Sequence, residues 1–195
     1  MVEIASPLGQ AFRPGRHGMP EGEPGVRLSQ RRPVSIVQVA AWPGKGKAVL
    51  AATLKAAGMA LNGNDGVARD DRCLLAVAPD RWLVIDDARD LLPALRKAVA
   101  PDAGSVLSLS HGRTVFRVEG PRAGFVLAKL FAIDFSVEAF PVCHAVSTAH
   151  HDVFAAIQRV KADAFDLCVF TSFARSFWQT LGHAAAETGY EVVAT

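Results

Sequence analysis

The order of strand-like and helix-like segments between residues 34 and 110 constrains the fold of this chain more than any other feature. Short β-branched apolar runs, typical of strands, alternate there with longer stretches in which apolar residues recur at helical spacing. The predicted elements are a strand at 34–40, a helix at 45–57, strands at 73–78 and 81–85, a helix at 88–99 and a strand at 106–110. This βαββαβ order is that of the ferredoxin-like fold, in which helices cover one face of a mainly antiparallel sheet.

The same order partly recurs after Gly112. The predicted elements are a strand at 114–118, a helix at 120–131, strands at 142–148, 153–160 and 165–170, a helix at 172–188 and a strand at 190–193. Each half is too small to bury its sheet well alone. The sequence therefore predicts a single α+β domain over 34–195, made of two related ferredoxin-like halves, 34–111 and 112–195, that share a core.

Residues 1–33 differ from the rest because glycine and proline crowd the stretch from Pro7 to Pro33. Proline lacks a backbone N–H and glycine loses much entropy on ordering, so regular pairing is disfavoured. We predict an extended Gly/Pro-rich arm over 1–33, and a disordered tail fits the composition equally well. Four apolar residues are candidate anchors across a neighbouring surface: Leu8, Phe12, Met19 and Leu28.

The charge and the cysteine content narrow the classes of partner and the location. The 21 basic and 19 acidic residues give a net charge of +2, which provides no general attraction to nucleic acid or to an anionic membrane. No apolar stretch reaches the roughly 18 residues of a membrane span, and residues 1–10 lack the pattern of a secretion signal. The three cysteines stand inside apolar runs, so we expect a reducing, cytoplasmic location.

Motifs that would indicate ligand binding or catalysis are weak. The segment 43–47 resembles a phosphate loop, but Ala41 stands where a Walker loop has glycine, and a solvated turn is favoured over an anion site. Neighbouring strand residues point to opposite faces, so His150 and His151 should not share a metal ion. We predict no catalytic, cofactor-binding or metal-binding residue in this chain. The Cys143-His144 pair does not change this, because no third group is placed to orient a dyad.

Two polar or aromatic clusters are candidate partner interfaces. Ser110, His111 and Arg113 lie in the glycine-containing junction between the two halves, where they either meet a partner or organise the exposed strand ends. Arg175 and Trp178 lie on the last predicted helix, and arginine and aromatic residues dominate the energetics of protein interfaces.

Five phrases, in this order and spacing, resemble the gamma subunit of bacterial heterotetrameric sarcosine oxidase. The resemblance is distributed from Ser6 to Tyr190, and no single phrase carries it. The phrases are Ser6-Pro7-Leu8, Val37-Gln38-Val39-Ala40-Ala41-Trp42-Pro43-Gly44, Ala78-Pro79-Asp80-Arg81-Trp82-Leu83, Leu109-Ser110-His111-Gly112-Arg113 and Ser172-Phe173-Ala174-Arg175-Ser176-Phe177-Trp178.

The resemblance implies a fold similar to the folate-binding domain of aminomethyltransferases, which agrees with the two predicted halves. It also implies assembly with alpha, beta and delta subunits, with the alpha subunit as the chief contact. Such a complex oxidises sarcosine to glycine with formation of H2O2 and passes the one-carbon unit to tetrahydrofolate. FAD, FMN, NAD, zinc and tetrahydrofolate are expected in the partner chains, and no cofactor is expected in this one.

Two other functions remain open at this point. The chain could bind folate or transfer an aminomethyl group by itself, for which Asp134 and Asp163 are the available acids, although nothing in the sequence brings either to a pocket. It could also serve a related oxidase that demethylates another N-methyl amine.

Overall fold

The computed structural model describes residues 6–19, 22–61, 66–69 and 71–194, and it is an α+β structure with two sheets. The helices are α1 (Gly46–Ala57), α2 (Leu92–Ala98), α3 (Ala123–Ala128) and α4 (Ala174–Ala185). The strands are β1 (Gly15–His17), β2 (Val26–Arg31), β3 (Ser35–Ala41), β4 (Gly66–Ala68), β5 (Arg72–Ala78), β6 (Arg81–Asp86), β7 (Gly104–Ser108), β8 (Arg113–Glu119), β9 (Ala145–His150), β10 (Val153–Lys161), β11 (Ala164–Phe170) and β12 (Tyr190–Val192).

The first sheet has the topology that the sequence predicts for residues 34–111. Its strand order is β4-β5-β6-β3-β7, and every neighbouring pair is antiparallel. Without β4 this is the ferredoxin-like arrangement, in which β3 and β6 occupy the centre and α1 and α2 cover one face. The edge strand β4 was not predicted, because its three residues are too few to show a period.

The second sheet repeats this topology with one inserted strand. Its order is β1-β12-β2-β8-β11-β10-β9. The strands β10, β11 and β8 take the places of β5, β6 and β3, but β2 separates β8 from the last strand, β12. β2 is antiparallel to β8 and parallel to β12. The second half therefore completes its sheet with a strand from the N-terminal segment.

The segment 1–33 was expected to be an extended arm, and the structure places regular strands within it. Val26 and Leu28 are fully buried, and residues 26–31 contain neither glycine nor proline, so the local sequence can pair as a strand. Gly120 allows the backbone at the start of β2 to lie close to the end of β8, because a Cβ at residue 120 would be 2.7 Å from the Gly25 carbonyl oxygen. Leu8 is also buried, whereas Met19 is 61% exposed. Residues 1–5, 20 and 21 of the predicted arm lie outside the described residues.

The two sheets face each other, and each carries its helices on the outer face. One core lies between the seven-stranded sheet and α3 and α4, and a second lies between the five-stranded sheet and α1 and α2. A third, smaller core joins the sheets, and it includes Ile36, Leu75 and Leu83 on one side and Val115, Ala156 and Cys168 on the other. Two further contacts fasten the sheets: Gln158 Nε2 donates to the Leu74 carbonyl at 3.2 Å, and Ser147 Oγ donates to the Val77 carbonyl at 2.7 Å.

Helix and strand ends differ from the predicted ones for local reasons. α2 begins at Leu92 instead of residue 88, because Asp86 Oδ1 accepts hydrogen bonds from the amides of Ala88 and Arg89 and holds them in a turn. β9 begins at Ala145 instead of residue 142, because Cys143 has a φ of 74° that no strand residue adopts. No helix in the described ranges is long and apolar enough to cross a membrane.

Candidate partner interface

The junction between the halves is a tight turn between β7 and β8. The Leu109 amide donates a backbone hydrogen bond to the Ile36 carbonyl of the first sheet at 2.7 Å. The amides of Gly112 and Arg113 then donate back to the Leu109 carbonyl, at 2.9 and 3.0 Å. Ser110 Oγ accepts a hydrogen bond from the Ile36 amide at 3.0 Å. Ser110 therefore organises the start of β3, while the exposed His111 side chain extends outward.

A groove of about 520 Å³, which we call the junction groove, opens beside this turn. The turn and the start of β8 form one wall, and the end of β2 forms another. Arg31, Arg32, His111 and Arg113 contribute basic side chains, and none of the described residues that line the groove is an aspartate or a glutamate. Ser110, His111 and Arg113, which the sequence groups as one candidate interface, all line this one groove.

Arg113 lies between the junction groove and a second one. Its guanidinium carbon is 3.4 Å from the centre of the Phe170 ring, a close cation–π contact. The side chain is half-buried, and this burial lowers the pKa of Arg113, although the electrostatic interaction with Cys168 acts in the opposite direction. Within the described part of the chain, Arg113 makes no side-chain hydrogen bond or ion pair.

The second groove, of about 470 Å³, runs between the two sheets, and we call it the inter-sheet groove. Its walls are mostly apolar and include Leu83 and Cys168, and Arg81 and Arg113 are its charged residues. Two aromatic rings stand at its rim, Phe154 with 64% and Phe170 with 39% of its surface exposed. Like the junction groove, it has no carboxylate among the described residues that line it.

A buried ion-pair network lies deeper in the second sheet and was missed by the sequence analysis. Arg31, on β2, pairs with Asp166 on β11 and with Asp87 at 2.8 Å. Asp166 also accepts from Arg117 Nε at 2.8 Å. Burial opposes the charge of Arg31, but the Asp166 and Asp87 carboxylates outweigh it and raise the pKa of Arg31. The available signal was short: polar Arg27 and Ser29 alternate with apolar Val26 and Leu28, but Gln30 breaks the alternation before Arg31.

Arg175 and Trp178 do not join the junction. Trp178 is 5% exposed, and its ring packs against Phe12 at 5.8 Å and Phe116 at 5.2 Å between centroids. Arg175 is exposed and lines a different hollow of about 380 Å³ beside β12. Trp178 therefore offers little surface to a partner, whereas Arg175 remains accessible.

A carboxylate from another turn lies beside the lysine-rich turn before α1. Lys45 and Lys47 are exposed, and the Asp80 carboxylate of the β5–β6 turn lies against the first residue of the helix. A Cβ added to Gly46 would be 1.8 Å from Asp80 Oδ1, so only glycine permits this approach. Asp80 thus occupies the place at the helix N-terminus where a bound anion would be stabilised.

The histidine pair is arranged differently from the prediction. His151 lies in the β9–β10 turn with a φ of 50°, so strand alternation does not apply, and its ring centre is 4.3 Å from that of His150. The expected divergence of the two side chains was wrong. His150 Nδ1 lies 2.8 Å from the Leu130 carbonyl oxygen, and the described residues contain no cluster of three or more metal-ligating side chains.

The two acids considered for folate chemistry lie apart from both grooves. Asp134 is exposed and accepts a hydrogen bond from the Ser136 amide at 2.8 Å, which lowers the pKa of Asp134. Asp163 lines a small hollow of about 280 Å³ that also contains Glu23 and Glu119.

Comparisons with a family profile and with related sequences indicate the same family. The profile of the sarcosine oxidase gamma subunit family matches residues 43–187. The gamma subunit from Corynebacterium sp. strain P-1 is 30% identical over 173 residues, which cover 87% of this chain and 84% of the relative. The chain belongs to the sarcosine oxidase gamma subunit family. The gamma subunit from Corynebacterium sp. strain U-96 is also 30% identical, over 78% of this chain and 75% of its own length.

Solved structures agree with this family. A chain of the heterotetrameric sarcosine oxidase from Corynebacterium sp. U-96, solved with pyrrole 2-carboxylate, matches with a TM-score of 0.80 and 25% identity, over 95% of this chain and 96% of that one. The glycine cleavage system aminomethyltransferase T from Bartonella henselae matches with a TM-score of 0.60 and 17% identity, over 87% of this chain and 48% of that one. The second match confirms the predicted aminomethyltransferase-like fold.

Proposed function

We propose that this chain is the gamma subunit of a heterotetrameric sarcosine oxidase, and that it contributes by packing against larger catalytic chains, chiefly the alpha subunit. The observation that carries the proposal is the match over 95% of this chain to a chain of a solved heterotetrameric sarcosine oxidase. The complex would oxidise sarcosine to glycine, form H2O2 and transfer the one-carbon unit to tetrahydrofolate.

The chemistry of the junction supports a packing role. Ser110 holds the start of β3, and Arg113 stacks on Phe170, so both side chains maintain the shape of a surface. We propose that this surface, with His111 and the more remote Arg175, meets the partner chains.

We place the cofactors FAD, FMN, NAD and zinc, and the tetrahydrofolate, in the partner chains. For zinc, burial raises the pKa of the Cys73 and Cys168 thiols to about 12, which makes thiolate ligation unfavourable. For tetrahydrofolate, aminomethyl transfer needs an acid near the reacting nitrogen, and both grooves beside Arg113 lack a carboxylate among their described residues. The three cysteines are free and buried, which fits a cytoplasmic location.

Co-expression tests this function. The alpha, beta and delta chains of such an oxidase would be produced with and without this chain, and the complexes compared by size-exclusion chromatography and sarcosine-dependent H2O2 formation. We expect the other three chains to assemble without this one into a complex that is less stable and less active. An equally stable and equally active complex in its absence would refute the proposal.

Titration with tetrahydrofolate separates this function from a stand-alone folate protein. We expect the isolated chain to show no saturable binding in the micromolar range by calorimetry. Saturable micromolar binding would favour the stand-alone reading.

A further inference from the structure

We propose that Arg113 is the centre of a docking site for an extended segment of a partner chain, in which a carboxylate pairs with Arg113 and a neighbouring apolar side chain enters the inter-sheet groove. This inference rests on the proposed function, because it specifies which surface meets the other subunits. It goes further by fixing the chemistry of the segment that binds there.

The first observation is that Arg113 is half-buried and has no ionic partner among the residues described. A half-buried guanidinium loses part of its hydration, and this cost is normally offset by an ion pair or by hydrogen bonds. Arg31 and Arg117, on neighbouring strands, satisfy this requirement with Asp166. Arg113 has only the face of the Phe170 ring, among the residues described. Its donors are therefore available to a carboxylate from outside.

The charges around Arg113 are the second observation. The chain as a whole is nearly neutral, with 21 basic and 19 acidic residues. The two grooves that meet at Arg113 depart from this balance, because their described walls carry Arg32, Arg81 and His111 but no carboxylate. Arg31 also lines the junction groove, but it is already paired with Asp87 and Asp166. A ligand that crosses Arg113 thus meets basic or neutral side chains on both sides, which favours an acidic one.

The aromatic rim distinguishes a chain segment from a small anion. Phe154 and Phe170 expose 64% and 39% of their surface beside Arg113, and large apolar side chains grouped at one place mark protein contacts. A small carboxylic acid would neutralise Arg113 but would leave Phe154 in water. A segment with a carboxylate and an adjacent apolar residue covers the arginine and the rim together.

The test measures binding of this chain to the co-expressed complex of the other three subunits, by biolayer interferometry at several salt concentrations. We expect Arg113→Glu to weaken binding by at least about tenfold, since charge reversal places two carboxylates opposite each other. Arg113→Gln should weaken binding less and should also reduce its salt dependence, which a merely structural role would not do. Phe154→Ser, a change at an exposed position, should weaken binding without altering the salt dependence.

Arg96→Glu is the matched control, because it makes the same charge change at an exposed position on α2. It should bind as the unaltered chain does, and circular dichroism should confirm that every variant is folded. If the unaltered chain binds and the folded Arg113→Gln and Phe154→Ser variants bind equally well with the same salt dependence, the docking site is refuted while the proposed function stands. If the unaltered chain does not bind, the proposed function itself fails.

Discussion

The two halves of this molecule share a topology but differ in how they complete it. The first half forms its sheet from contiguous residues, with β3 and β6 at the centre. The second half places β2, from the N-terminal segment, between β8 and β12, and fixes it with the buried pairs of Arg31. The N-terminal segment is therefore part of the second half's fold, and changes in this segment should destabilise the second half more than the first.

Removal of residues 1–31 should have the largest effect on the difference between the halves. It deletes β2, and with it the buried Val26 and Leu28, so β8 and β12 lose the strand between them. We expect loss of the cooperative thermal transition and protease cleavage preferentially in 112–195. Met19→Ser, at an exposed position of the same segment, should leave the transition unchanged, and a truncated chain with an unaltered melting temperature would contradict the role of β2.

Asp166→Ala tests the ion pairs that hold β2. It leaves Arg31 buried beside Asp87 only, and removing one partner of a buried pair costs about 3–5 kcal/mol. Chemical denaturation should show this loss in the free energy of unfolding. Asp71→Ala, which removes an ion pair at the surface with Arg72, serves as the control and should have no measurable effect. Equal effects of the two substitutions would show that the buried network does not fasten β2.

Two leucine substitutions test whether the halves unfold together. Leu95 on α2 and Leu181 on α4 are fully buried in separate helix-covered cores. Each change to alanine should cost about 2–5 kcal/mol through lost burial and cavity formation. Because a third core joins the sheets, we expect each variant to keep a single transition by both fluorescence and circular dichroism. Two separated transitions in either variant would contradict a shared core.

A smaller effect on stability, which depends on pH, is expected at Asp86 in the first half. Burial alone would raise its pKa, but hydrogen bonds from Arg89 and from the amides of Ala88 and Arg89 lower the pKa of Asp86 overall. A lowered folded-state pKa stabilises the fold above the unfolded pKa of about 3.9, and this contribution disappears as pH falls through the folded value. The stability difference between the unaltered chain and Asp86→Asn should therefore be largest near neutral pH and shrink below pH about 4. A difference independent of pH would contradict this assignment.

The sequence was sufficient to predict the elements that depend only on neighbouring residues. The helical spacing before Gly58 and the Pro79-Asp80 turn were sufficient for α1 and for the β5–β6 hairpin, and these placed the first half correctly. The position of β2 was not predictable in this way, because the surrounding glycines and prolines concealed a six-residue strand whose partners lie far along the chain.

The part of the candidate site that is formed by neighbouring residues was also predictable. Ser110, His111 and Arg113 are neighbours in sequence, so their grouping required no knowledge of the fold. The cation–π contact of Arg113 with Phe170 and the exposed Phe154 depend on the pairing of β8, β11 and β10, which the sequence alone does not specify. Trp178 was selected for its residue type, and its burial against Phe12 depends on the N-terminal segment.

Hydrogen–deuterium exchange on the free chain and on the assembled complex tests the docking surface most directly. We predict slower exchange on assembly at residues 109–113 and around Phe154 and Phe170, with no change at the exposed residues of α1. Slower exchange confined to α1 and α2, with the region around Arg113 unchanged, would contradict the account.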